Sequence, residues 1–234
     1  TRTRRQRQMC IRDSIMNLEH YYWYFPSVLS NRFCDDIVKY GLEHQDTMAL
    51  TGEGTDELES NGEVSKDTLE NVQKKRKSNI VWMDDRWIYK QIQPYVHMAN
   101  EKAGWNYQWD WTENCQFTKY DIGQYYGWHT DSFKKPNKTN NDNEKGKIRK
   151  LSMTISLNDG TEYDGGQLEF DFKNVSPVDE WVDEKIYNSK VICSQIFKKG
   201  SIVVFPSYLW HRVTPVTRGT RYSLVAWNLG WPFQ

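Results

Sequence analysis

The hydrophobic pattern of the chain changes at Trp109, and this change restricts the fold more than any other feature. From there on, short apolar or alternating segments recur, separated by turn sequences such as NDG at 158–160, DGG at 164–166, KKG at 198–200 and TRG at 217–219. Segments of this kind are typical of β-strands joined by tight turns. We therefore predict strands near 111–120, 125–131, 149–157, 166–172, 191–197, 200–205, 209–214 and 220–228.

The N-terminal part has helical periodicity instead. Ser30 is a candidate N-cap for a helix to about residue 43, and Asp84 or Asp85 could cap a second helix across 86–102, with Gly104 as its stop. Short strands are expected at 21–25, on a sheet edge, and at 78–83. Two helices followed by about eight strands predict an α+β protein with a jelly-roll or cupin-like double sheet, a double-stranded β-helix, flanked by N-terminal helices.

The expected domain organisation is a single domain over residues 16–234, with helical support at 16–108 and the jelly-roll core at 109–234. Residues 1–15 differ abruptly in composition and are expected to be a non-native or disordered leader; a basic arm that binds nucleic acid is the alternative. The polar stretches 44–77 and 134–147 are predicted to be surface loops, the first partly disordered or a flap over a cleft.

Charge and composition narrow the possible partners. Lys+Arg and Asp+Glu both total 31, so no global basic field would attract nucleic acid or an anionic membrane. No run of 18 apolar residues occurs, and the four cysteines contain no C-x-x-C pair. We therefore expect free thiols, a cytoplasmic location and no membrane partner.

His129 and Asp131 are candidate metal ligands, because residues two apart on an extended strand point to the same side. His211, just after the apolar strand 200–205, is a candidate third ligand, although a histidine at such a place is often only a core residue. Two histidines and one carboxylate form the facial triad of non-haem Fe(II) sites, which leaves coordination positions open. Zinc structural sites would need more sulfur or histidine ligands.

Arg221 lies in an otherwise apolar strand, where a buried guanidinium requires an anion. If 209–214 and 220–227 form a hairpin centred near Thr217, Ser223 lies opposite His211 and Arg221 lies roughly 6–7 Å further along. That separation would suit a five-carbon diacid that chelates iron at one end and pairs with the guanidinium at the other. Tyr120 could donate a second hydrogen bond to the same carboxylate, or it could simply be a sheet aromatic.

Three sequence blocks together resemble the Fe(II)/2-oxoglutarate-dependent dioxygenase superfamily, and within it the prolyl 4-hydroxylase branch of small bacterial and phage type. They are YDIGQYYGWHTD at 120–131, DGGQLEF at 164–170 and KKGSIVVFPSYLWHRVTPVTRGTRYSLVAW at 198–227. The resemblance implies a dioxygenase that uses Fe(II), 2-oxoglutarate and O2, and by analogy ascorbate. It also implies hydroxylation of an aliphatic C–H, with a peptidyl proline as the expected substrate and succinate and CO2 as coproducts.

The resemblance also implies roles for individual residues. His129, Asp131 and His211 correspond to the iron ligands. Arg221, Ser223 and Tyr120 are assigned to 2-oxoglutarate, and Arg221 replaces the lysine that is frequent in this branch. The substrate would contact Tyr126 and Trp227. Asp131 favours hydroxylation, because halogenating relatives lack this carboxylate.

Other functions stay open on the sequence alone. The same chemistry could act on a free amino acid, a small metabolite or an alkylated nucleobase, and the basic stretch KKRK at 74–77 keeps the last of these possible. A non-catalytic cupin-like binding module is a further alternative, although it would need neither the triad nor Arg221. The expected partner is a peptide or small-molecule substrate, with nucleic acid disfavoured and the oligomeric state undetermined.

Overall fold

The computed structural model of the chain describes residues 20–44, 46–51, 57–58, 60, 62–132, 135–172 and 190–233. Its helices are α1 (Asn31–Glu43), α2 (Lys66–Lys75) and α3 (Arg86–Lys102), with a 3-10 turn at Ser194–Ile196. The strands are β1 (Trp23–Phe25), β2 (Thr47–Met48), β3 (Arg76–Lys77), β4 (Asn79–Met83), β5 (Trp111–Thr112), β6 (Cys115–Tyr120), β7 (Tyr125–His129), β8 (Ile148–Ser156), β9 (Asp164–Gly165), β10 (Leu168–Asp171), β11 (Lys190–Ile192), β12 (Ile202–Pro206), β13 (Trp210–Val213), β14 (Val216–Arg218) and β15 (Arg221–Gly230).

The strands form two main antiparallel sheets. The larger sheet has the order β1-β12-β8-β15-β6-β4-β2, with β5 also paired to β15. The smaller sheet has the order β11-β10-β13-β7-β3, and β9 pairs with β14 in a separate ribbon. Two facing antiparallel sheets with few helices confirm the predicted α+β jelly-roll architecture.

Strand β8 shows how the larger sheet divides its two faces. Leu151, Met153 and Ile155 are fully buried in an apolar cluster with residues of α1 and α3, such as Ile37 and Ile92. Because side chains alternate along a strand, Ser152, Thr154 and Ser156 point to the other face, toward the smaller sheet. The helices therefore cover one face of the larger sheet and leave the other face free to form a polar site.

Both predicted long helices are present. The Ser30 side chain accepts a hydrogen bond from the Phe33 amide at 3.1 Å, which confirms it as the N-cap of α1. Asp85 is the N-cap residue of α3 but makes no side-chain capping bond. Gly104 follows the end of α3 with φ +71°, the left-handed conformation that glycine adopts most easily.

Two predictions about the N-terminal half need correction. The stretch 44–77 was expected to be a loop, but it contains α2, whose N-cap Ser65 accepts a hydrogen bond from the Thr68 amide at 3.3 Å. Few apolar residues mark this helix in the sequence, and of its residues only Val72 is buried. The region 16–108 was expected to supply helices and the short strands that are observed as β1 and β4, but it also contributes β2 and β3 to the two sheets.

Two other predicted features can be placed. The polar stretch 134–147 has turns but no helix or strand in its described part, 135–147, as predicted. It is nevertheless organised, because the Asn137 amide donates to the Lys147 carbonyl at 2.9 Å and the Gly146 amide donates back to the Asn137 carbonyl at 2.8 Å.

The expected leader at 1–15 lies outside the described residues. No helix in the described ranges is long and apolar enough to cross a membrane.

Candidate active site

His129 and His211 are brought together by the pairing of β7 with β13, in which they are direct partners. Asp131 lies two residues beyond the end of β7, so the predicted strand 125–131 stops earlier than expected. Its position is set by the backbone instead, because the Asp131 and Ser132 amides both donate to the Ser207 carbonyl at 2.9 Å. One possible ligand atom from each of the three side chains lies within 4.8 Å of the others.

The orientation of both imidazoles suits metal binding. Nδ1 of His129 is 2.8 Å from the Gly127 carbonyl, and Nδ1 of His211 is 2.9 Å from the Leu209 carbonyl. Each ring therefore turns Nε2 inward, to 3.6 Å and 3.5 Å from the Asp131 carboxylate oxygens. Such backbone contacts to the remote nitrogen fix the tautomer and orientation of metal-ligating histidines.

The protonation states also suit a divalent cation. Burial and the neighbouring His129 lower the pKa of His211 to about 4, so its imidazole is neutral at physiological pH. Burial by itself would raise the pKa of Asp131, but His211, His129 and Arg149 outweigh it and hold the carboxyl pKa well below its usual value. Neutral imidazoles and an ionised carboxylate are the donor forms that bind Fe(II).

Arg221 lines the same cavity as the three ligand side chains. It is only 2% exposed, and its Nη1 donates to the Ser223 hydroxyl at 3.2 Å. Its guanidinium carbon lies 5.3 Å from the centre of the Tyr120 ring, since the two residues are direct partners on β15 and β6. Within the described ranges no carboxylate forms an ion pair with Arg221, so this buried cation lacks an acidic partner.

The position of Arg221 was predicted from a hairpin between 209–214 and 220–227, and that hairpin does not form. Strand β13, with His211, pairs with β10 and β7 in the smaller sheet, whereas β15, with Arg221 and Ser223, pairs with β5, β6 and β8 in the larger sheet. The chain crosses from one sheet to the other between these strands, through β14. Arg221 therefore faces the ligand side chains across the space between the sheets and not from a position along one ribbon.

Gly166 in the DGG sequence allows the Arg221 side chain to pass. Its φ is +58°, and a Cβ there would lie 3.0 Å from Cδ of Arg221 and 3.0 Å from Cγ2 of Val216. That distance is tighter than ordinary van der Waals contact, and the backbone conformation is one that favours glycine. The DGG turn thus contributes to the site through the absence of a side chain.

Tyr126 and Trp227, the predicted substrate residues, also line the cavity. Tyr126 stacks on His129 with a ring-centre distance of 3.5 Å. A register shift where β7 pairs with β13 lets Tyr126 and His129, three residues apart, both face inward. Trp227 is 5% exposed, and its indole Nε1–H has no hydrogen-bond acceptor among the described residues.

Arg76 is a site residue that the sequence analysis missed. It is 5% exposed, and its guanidinium donates to the Ser78 hydroxyl at 2.9 Å and to the Gln116 amide oxygen at 2.6 Å. Its guanidinium carbon lies 4.4 Å above the Tyr126 ring. In the sequence it is one of four basic residues at 74–77 and looks no different from its exposed neighbours. Because Arg76 points inward, this stretch does not present four cations to a nucleic acid.

Arg149 is a second residue that was missed. It forms a two-point ion pair with Glu113, at 2.8 Å and 2.5 Å, and lies 4.0 Å from the centre of the Trp227 ring. Trp82, which is 49% exposed, meets the same indole at a ring-centre distance of 6.1 Å. The mouth of the cavity therefore combines aromatic surfaces with guanidinium groups. No sequence signal pairs Glu113 with Arg149, because Glu113 lies in the connection between β5 and β6 whereas Arg149 lies on β8.

Comparison with known proteins agrees with this geometry. Residues 115–228 match the family profile described as the 2OG-Fe(II) oxygenase superfamily. A PKHD-type hydroxylase of Thermosynechococcus vestitus is 33% identical over 113 residues, which are 47% of this chain and 40% of that protein. The matched segment thus spans about two fifths of that relative's length.

Two solved structures share the fold over most of the chain. One is a prolyl hydroxylase from Trichoplax adhaerens in complex with a peptide fragment of the hypoxia inducible factor oxygen degradation domain, with a TM-score of 0.58, 19% identity and coverage of 95% of this chain and 91% of that one. The other is a viral collagen prolyl hydroxylase from Paramecium Bursaria Chlorella virus-1, with a TM-score of 0.54, 17% identity and coverage of 91% and 97%. Residues 115–228, which contain all three candidate iron ligands and Arg221, thus form a segment of the 2OG-Fe(II) oxygenase superfamily.

Proposed function

We propose that this protein is an Fe(II)- and 2-oxoglutarate-dependent dioxygenase that hydroxylates an aliphatic C–H of a peptidyl proline and releases succinate and CO2. The observation that carries the proposal is the cavity itself, which places a His-Asp-His group and a buried arginine on facing sheets, with no acidic partner for the arginine among the described residues. A binding module of the same fold would need neither feature.

In this proposal His129 and His211 bind the metal through Nε2 and Asp131 binds it through its carboxylate. Two histidines and one carboxylate would leave coordination positions available for cosubstrate and oxygen. The iron would supply the oxidative chemistry that couples decarboxylation of 2-oxoglutarate to C–H hydroxylation. The protein contributes the neutral state of His211, the ionised state of Asp131 and the backbone contacts that hold both imidazoles.

Arg221 and Ser223 would bind the carboxylate of 2-oxoglutarate that is remote from the metal. The guanidinium already lies buried against the Tyr120 ring, so its own position is set before the carboxylate binds. Charge-assisted hydrogen bonds of this kind are among the strongest in proteins. Tyr120, at 3% exposure, forms the wall beside them.

The chemistry of the cavity mouth favours a peptidyl proline. A proline residue offers a flat apolar ring and a carbonyl acceptor but no backbone N–H donor. The cavity suits this, because the Tyr126 and Trp227 rings form part of its wall, while the Trp227 N–H is a donor that lacks an acceptor among the described residues. The peptide bound to the Trichoplax adhaerens protein supports a peptide substrate for a protein of this fold.

The test is succinate release from 2-oxoglutarate in the presence of Fe(II), O2 and proline-containing peptides, with a +16 mass shift read on the peptide. His211→Ala should abolish both signals, whereas His44→Ala, at an exposed histidine on the C-terminal end of α1, should leave them intact. Succinate release that responds to free amino acids or metabolites but to no peptide would replace the peptidyl substrate with a small molecule. A folded protein that gives no visible charge-transfer band with Fe(II) and 2-oxoglutarate under anaerobic conditions would contradict the enzyme assignment itself.

A further inference from the structure

A second cleft, of about 720 Å³, lies between the first half of α3 and the chain around β5. It shares no lining residue with the metal cavity and has the size of a ligand pocket. Its walls carry aromatic rings, two basic side chains and several amides and carboxylates, contributed by Asp84, Arg86, Tyr89, Lys90, Gln93, Trp109, Asp110, Trp111, Thr112 and Asn114. Nothing in the chemistry at the metal site uses this cleft.

The cleft adjoins the mouth of the metal cavity along two pairs of strands. Gln116 of β6 lines the cavity and pairs with Trp82 of β4. Asn114, two residues before Gln116, and Asp84, two residues after Trp82, both line the cleft. Two residues of strand correspond to about 7 Å. On β15, Trp227 lines the cavity and the next residue, Asn228, pairs with Thr112 of the cleft. The helix α3 lines the cleft, so the cleft lies toward the helix-covered face of the larger sheet and the cavity lies on the other face. A chain that leaves the cavity past Trp82 therefore reaches the cleft around the end of β4 and β6, where Asp84 and Asn114 lie.

The cleft carries more positive than negative charge. Asp110 is neutralised by Lys147 at 2.7 Å. In the part of the chain that the structure describes, neither Arg86 nor Lys90 takes part in an ion pair, and both are exposed. Asp84 is the remaining carboxylate on the lining. Two cations against one anion, beside aromatic rings, favour an extended segment that carries an acidic side chain.

We infer that this cleft binds the flanking segment of the polypeptide substrate and selects an acidic residue in it. The inference rests on the proposed function, since it requires that the reacting residue belongs to a polypeptide. The path is about 7 Å along the strands and a further 6 Å, roughly, from Arg86 to Lys90 along the helix. An extended chain covers this path, counted from the cavity wall at Gln116, in about four residues, so the acidic residue lies at least about four positions from the reacting one.

The test uses synthetic peptides that share one central proline and carry Glu, Gln or Lys about four to seven positions away on either side. For the wild-type protein, KM should be lowest with Glu on one side and about tenfold higher with Lys there, while kcat stays the same. Arg86→Glu/Lys90→Glu should remove or invert this preference. Arg32→Glu/Lys39→Glu, which changes exposed basic residues of α1, should keep it.

The outcomes test the assignment of the cleft separately from the proposed function. Turnover with equal KM for the Glu and Lys peptides would overturn the cleft assignment and leave the hydroxylase proposal standing. If no peptide is hydroxylated, the hydroxylase proposal fails, and fluorescence anisotropy of the labelled Glu and Lys peptides then tests the cleft directly. Tighter binding of the Glu peptide that is lost in Arg86→Glu/Lys90→Glu supports the cleft; equal binding of both peptides, or none, overturns it.

Discussion

Replacing Arg221 with methionine tests the arrangement of the site most directly. The substitution keeps most of the length and apolar contacts of the side chain but removes its charge. Arg221 is 2% exposed, and among the residues that the structure describes its side chain hydrogen-bonds only to the Ser223 hydroxyl, at 3.2 Å, with the Tyr120 ring on one side. A buried charge without an opposite partner is costly, so the ligand-free variant should be at least as stable as the wild type.

The same substitution should weaken 2-oxoglutarate binding strongly. Loss of hydrogen bonds to a charged partner costs about 1.5–3 kcal/mol, which corresponds to a rise in Kd of about 10-fold to 150-fold. At a concentration of 100 times the wild-type Kd, 2-oxoglutarate should stabilise the wild-type protein by about 2.7 kcal/mol. A variant whose Kd is about 100-fold higher would gain only about 0.4 kcal/mol under the same conditions.

Two measurements check this. Anaerobic titration of the Fe(II) protein with 2-oxoglutarate gives Kd from the charge-transfer band, and denaturant unfolding with and without 2-oxoglutarate gives the stability increments. Arg218→Met is the matched control, because Arg218 is exposed and pairs with Asp164 outside the cavity. An unchanged Kd in Arg221→Met would refute the role of Arg221, and a ligand-free variant destabilised by several kcal/mol would refute the claim that its charge is uncompensated.

Further outcomes are expected elsewhere in the site. Glu113→Gln should raise the KM of a peptide substrate but leave the Kd of 2-oxoglutarate unchanged, because it weakens the ion pair that holds Arg149 over Trp227; an equal effect on both ligands would contradict this. Gly166→Ala should weaken 2-oxoglutarate binding as well as stability, whereas Gly123→Ala, at φ +79° with nothing within 4 Å of a new Cβ, should show only the backbone cost of about 1–2 kcal/mol. The metal-free protein should lose stability as the pH falls from 6.5 to about 4, because the unfolded His211 takes up a proton that the folded residue, with its pKa near 4, does not. The loss is at most about 3 kcal/mol, and His211→Gln should flatten the profile in pH-dependent unfolding.

Local sequence patterns predicted the elements of this fold well. Ser30 capped the helix it was expected to cap, because an N-cap interaction spans only three residues. The alternation of side chains along the strands likewise depends on neighbours in the sequence, and most predicted strands of the core correspond to observed ones. The predicted strand 191–197 is wrong beyond Ile192, because Ser194–Ile196 forms a 3-10 turn. Helix α2 was missed, since it buries little apolar surface and is marked mainly by its Ser65 cap and its charged ends.

The sequence alone determined which residues could form the metal site and that Arg221 needs an anionic partner, because residue type and strand context limit what each side chain can do. The tertiary structure decided how they meet. His129 and His211 face one another through pairing of β7 with β13, and Arg221 approaches from the other sheet and not along a hairpin. It also decided that Arg76 and Arg149 point into the cavity mouth. The physical reason is that strand partnership joins residues far apart in the chain, and no local pattern specifies the partner.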